Sequence, residues 1–67
     1  MYGLRIKELR EQKGLSQKQL AKLLGSTQTK ISKYEREAVD LSTKQILLIC
    51  KIFNVTSDYL LGRSDNE

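Results

Sequence analysis

Residues 15–36 read LSQKQLAKLLGSTQTKISKYER, and this stretch decides the fold. Ser16 offers a side-chain oxygen to the free amides that begin a helix, and Gln19, three positions on, completes a reciprocal capping box. Leu20, Ala21 and Leu24 then follow at helical spacing until Gly25, the residue type that most readily takes the left-handed conformation closing a helix. Thr27 can cap again only two residues later, so Gln28 to about Arg36 forms a second short helix with Ile31 and Tyr34 on one side. The sequence therefore predicts two short helices joined by a tight turn.

Working outward, Leu4 to Lys13 reads as a preceding helix with Ile6 and Leu9 inward and Gly14 as its left-handed cap. Beyond the central pair, Arg36 to Leu41 breaks the periodicity and Ser42 then caps a helix running to about Phe53. Asn54 tolerates the left-handed closure of that helix, and Ser57 caps a final turn, Asp58 to Leu61, ahead of Gly62. The chain has no proline, and its β-branched residues are scattered rather than alternating; no strand is expected. The prediction is an all-α, compact five-helix domain over residues 1–62, with 63–67 as a polar tail or the start of a linker.

Composition narrows the chemistry. A chain of 67 residues has room for one small domain. With no histidine and one cysteine, it lacks the side chains that usually build a zinc site, a Ser-His or Cys-His nucleophile pair or a disulfide framework. Neither an enzyme, nor a metal, nor a cofactor is expected. Cys50 shares a helical face with Ile46 and Phe53 and reads as a small buried core residue without redox function. The longest apolar run, Ile46 to Cys50, is far short of the ~18–20 residues of a membrane span, and Arg5 and Lys7 stand where a signal peptide would be apolar. A soluble, cytoplasmic protein is implied. The net charge of +4 is unevenly placed: residues 1–36 hold nine cations and three acids, residues 37–67 three cations and five acids. Such asymmetry suggests an anionic partner docking on the first half.

The stretch from Gln17 to Arg36 fits a helix-turn-helix unit. More specifically, the string Leu15-Ser16-Gln17, Leu20-Ala21, Leu24-Gly25, Thr27, Ile31-Ser32, Tyr34-Glu35-Arg36 resembles the phage repressor and Cro-type helix-turn-helix family at nearly every signature place. Ile6 to Arg10 looks like that family's first helix, and Asn54 to Gly62 is similar to its closing helix, so the likeness covers about Leu4 to Gly62. It implies sequence-specific binding to double-stranded DNA, usually as a homodimer, by a bacterial or phage transcriptional regulator, here a repressor that occupies an operator. Three departures stand out. Ser26 replaces a usually apolar residue, which removes the hydrophobic staple onto Ile31. Glu37 occupies a position often held by glycine, and Asp40 adds a second acid where the family often places cations.

Residue chemistry suits the implied partner. Taking about 100° per residue, Thr29, Lys33 and Arg36 fall opposite Ile31 and Tyr34, with Lys30 and Ser32 on the flanks, and Gln28 projects from the helix tip. Glutamine can bond adenine, lysine can donate to guanine and a threonine methyl can meet thymine; Gln28, Thr29 and Lys33 are therefore expected to read bases, with Ser32 as a lesser candidate. Lys30 and Arg36 are expected at phosphates, as is Gln17, which opens a helix whose free amides favour an anion. Lys18 and Lys22 read as solvated. Arg10, four residues after Ile6, and Glu35, four after Ile31, lie on two inward faces and are expected to pair, as the resemblance also implies. The fourth helix is apolar nearly all round, so Leu48 and Ile52 need cover, either from Tyr59, Leu60 and Leu61 or from a second protomer. A homodimer on a palindromic operator follows from the resemblance and from the few base pairs one unit can read. The competing reading is a protein-interaction module, an antitoxin or adaptor, on the same fold.

Overall fold

The computed structural model describes residues 2–62, which form five helices and, among the described residues, no strand. They are α1 Tyr2–Gln12, α2 Gln17–Leu24, α3 Gln28–Glu35, α4 Thr43–Phe53 and α5 Ser57–Leu60. The tail expected at 63–67 lies outside the described residues.

The caps around the central pair form as their chemistry dictates. Ser16 Oγ accepts the Gln19 N–H at 3.0 Å, and Gln19 Oε1 accepts the Ser16 N–H at 2.8 Å. Gly25 takes the left-handed conformation, φ 64°, which lets the Ser26 N–H reach back to Ala21 O at 2.8 Å. Thr27 Oγ1 accepts the Lys30 N–H at 3.2 Å and starts α3. Each of these bonds satisfies a group that a helix end would otherwise leave open. With both ends so fixed, α2 and α3 are joined by a tight turn, and the two helices pack as a helix-turn-helix.

Three helices differ from expectation at their ends. Helix α1 starts at Tyr2 rather than Leu4, because the Tyr2 hydroxyl donates to Val39 O at 2.7 Å and Gly3 is buried against the end of α3. Helix α3 closes at Glu35, with Glu37 left-handed at φ 57° and the Ala38 N–H bonded to Lys33 O at 2.8 Å. A glutamate here adopts the geometry for which glycine pays least. Helix α5 is shifted by one residue: Thr56 Oγ1, not Ser57, accepts the capping N–H, from Tyr59 at 3.1 Å.

Ile6, Leu9, Leu20, Leu24, Ile31, Tyr34, Ile49, Phe53, Val55 and Leu60 make one continuous core. On α4, Leu48 and Ile52 are half-buried and pack against that core, so the chain itself supplies part of their cover. Leu47 is the large apolar residue of α4 left open, at 62% exposure. Cys50 is half-buried rather than buried, since the face it shares with Ile46 is a flank of the contact and not its centre; burial still pushes its thiol pKa up. The first and last helices meet where the Arg5 guanidinium lies 4.2 Å from the centre of the Tyr59 ring, a cation–π contact.

Candidate nucleic-acid interface

Helix α3 is anchored by Ile31 and Tyr34, both buried, which turns the opposite side outward. Gln28, Thr29, Lys30, Lys33 and Arg36 are exposed on it, and Ser32 is half-buried on its flank. The strip contains no apolar or acidic side chain. It offers amide, hydroxyl, methyl and cationic groups, the set that meets base edges and phosphates in a major groove. Three acids stand close in sequence: Glu35, which is turned to Arg10, and Glu37 and Asp40 in the connection to α4, both exposed. Burial and then the charges of Asp40 and Glu37 raise the pKa of Tyr2 above the ordinary tyrosine value.

Behind the strip lies a charged hub. Arg10 Nε donates to Glu35 Oε2 at 2.7 Å and Arg10 Nη2 to Glu35 Oε1 at 3.2 Å, a bidentate pair whose side chains are 11% and 5% exposed. Arg10 Nη1 also donates to Leu15 O at 2.8 Å, which fixes the chain where it enters α2. The hydrogen bond with Glu35 is the main cause that raises the Arg10 pKa above its ordinary value. Loss of either partner would strand the other in a desolvated place, costing about 3–5 kcal/mol.

Gln17, expected at a phosphate, also has a partner within the fold. Its carboxamide Nε2 donates to Glu35 Oε1 at 3.1 Å, so the side chain assigned to a phosphate is already committed inward through one hydrogen. The cause is proximity: the first turn of α2 stands beside the last turn of α3, where a carboxylate paired with arginine keeps spare lone pairs. Spacing along one helix carries no signal of this cross-helix bond. Among the described residues, no group of three His, Cys, Asp or Glu side chains could hold a metal ion, and no helix is long and apolar enough to cross a membrane.

Known proteins share this architecture. The chain is 38% identical over 63 residues to the HTH-type transcriptional regulator ImmR of Bacillus subtilis (strain 168), covering 94% of this chain and 50% of ImmR. It is 36% identical over 62 residues to the antitoxin PezA of Streptococcus pneumoniae serotype 4, covering 92% of this chain and 39% of PezA. The chain thus spans half or less of the length of these two relatives. Among solved structures, it is similar to the P22 c2 repressor protein in complex with synthetic operator 9T, with a TM-score of 0.88 and 28% identity, covering 96% of this chain and 97% of that one. The Helix-turn-helix family model matches residues 6–60, from the inward face of α1 to the end of α5, and the chain belongs to that family.

Proposed function

We propose that the chain is a sequence-specific double-stranded DNA-binding domain of a transcriptional regulator, a repressor that occupies its operator, and not an enzyme. The observation that carries this reading is the exposed strip of α3, which is polar and basic throughout and is held rigidly outward by Ile31 and Tyr34. In this reading Gln28, Thr29 and Lys33 contact bases, with Ser32 at the margin. Lys30 and Arg36 meet phosphates, and Gln17 does so through its backbone amide and its remaining carboxamide hydrogen. The partner is a palindromic duplex bound by a homodimer, with Leu48 or Ile52 on α4 meeting the second copy. A cytoplasmic location goes with this reading, as does the likeness to a regulator and to a repressor in complex with an operator.

The likeness to an antitoxin favours a second reading, a protein-interaction module. Against it stands the lack of an aromatic or aliphatic anchor on the α3 strip, which a docking hot spot would usually carry. Selection of duplexes from a random library, followed by footprinting, tests the first reading: a palindromic sequence should be enriched and protected. No enrichment at low salt would leave the protein-interaction reading.

A further inference from the structure

The Glu35 carboxylate is shared between two donors. Oε2 accepts from Arg10 Nε at 2.7 Å, while Oε1 accepts both Arg10 Nη2 at 3.2 Å and Gln17 Nε2 at 3.1 Å. Arg10 is itself tied through Nη1 to Leu15 O. These bonds join the end of α1, the entry to α2, the first residue of α2 and the last residue of α3. Glu35 is almost fully enclosed, whereas Gln17 is only half-buried. A carboxamide nitrogen carries two hydrogens; Glu35 takes one and leaves the second for another acceptor.

We infer that Glu35, besides closing the ion pair, is a positioning residue for DNA: it holds the Gln17 carboxamide in place before the duplex arrives, so that its second hydrogen meets a backbone phosphate. This rests on the DNA-binding reading above. A glutamine that moves freely must give up rotamer freedom to make one bond at an interface, and a glutamine already held does not. The Arg10–Glu35 pair is thereby coupled to binding through Gln17, although neither charged group reaches the surface strip.

The test compares Gln17→Ala in two settings, the unmodified protein and an Arg10→Met/Glu35→Leu variant whose hub is apolar and whose fold is checked by circular dichroism. The probes are a duplex enriched by the unmodified protein and an unrelated duplex, since a phosphate contact should serve both. In the unmodified protein Gln17→Ala should weaken both about tenfold; with the apolar hub the loss should shrink to about threefold or less. Equal losses in the two settings, or none in either, overturn the inference while leaving DNA binding intact. A library that enriches nothing overturns the DNA-binding reading and the inference together. Should the apolar-hub variant fail to fold, nitrogen relaxation on the unmodified protein without DNA decides the matter. The Gln17 carboxamide should be nearly as ordered as rigid backbone, with an order parameter of about 0.85, and a value below about 0.6 overturns the inference.

Discussion

One methyl group is enough to probe how closely α1 lies against α3. A Cβ at Gly3 would sit 2.4 Å from Glu35 O and 2.9 Å from Glu37 Cγ. The first of these neighbours is backbone and cannot rotate away. Gly3→Ala gains up to about 1 kcal/mol of helix propensity, yet the helices must part, so a net loss of about 1–3 kcal/mol is expected in urea unfolding. An unchanged midpoint would mean that the contact is slack. Tyr2, next to it, gives a pH signature. Its pKa is raised in the folded state by burial and by Asp40 and Glu37, so the folded chain holds the hydroxyl proton more tightly than the unfolded chain does. That stabilisation is intact below the unfolded value near 10 and is lost as pH rises through the folded value. Tyr2→Phe should therefore be less stable than the parent near neutrality, having lost the bond to Val39 O, but should show a shallower decline in urea midpoint above about pH 10. Neither residue stood out in the sequence, because both act on partners far along the chain, of which spacing within one helix carries no signal. Arg10 and Glu35 were legible for the opposite reason: each follows a core residue by one helical turn.

At the scale of elements, helix ends were readable wherever one residue type had one option. Ser16 with Gln19, Gly25, Thr27, Ser42 and Asn54 each close or open a helix where their chemistry points. The reading slipped where two residues competed or none was marked. Thr56 and Ser57 can both cap, and burial of Tyr59 and Leu60 selects the former. Glu37 takes a left-handed turn that no glycine announces. For α3, the proposed separation of base-reading from phosphate-binding residues predicts two kinds of loss. Gln28→Ala should cost about 1–3 kcal/mol on the enriched duplex and relax preference at a single base position. Lys30→Ala or Arg36→Ala should weaken enriched and random duplexes alike and lower the salt slope by about 1. Titrations on both duplexes at several salt concentrations separate these outcomes; a parallel loss on both for Gln28→Ala would place that side chain at the backbone.

The described residues measure 27 × 23 × 18 Å, while successive major-groove faces on one side of B-DNA lie about 34–36 Å apart. One domain reaches one such face, so recognition of a palindrome requires two copies. Footprints should show paired half-sites one helical turn apart, bound by two chains per duplex; full-affinity binding of one chain to a lone half-site would contradict this. The contact between Arg5 on α1 and Tyr59 on α5 has a consequence for folding kinetics. It joins the first helix to the last, so forming it early would require closure of a loop nearly as long as the domain, whereas α2 and α3 meet across a few residues. The clasp should accordingly form after the rate-limiting step. Interactions absent from the transition state set how fast a protein comes apart rather than how fast it assembles. Stopped-flow measurements on Tyr59→Leu should find unfolding accelerated about three- to tenfold, in keeping with the loss of a contact worth about 0.5–1 kcal/mol plus some packing. Refolding should change by less than about twofold. A variant that refolded tenfold more slowly would instead place the two ends of the domain in its folding nucleus.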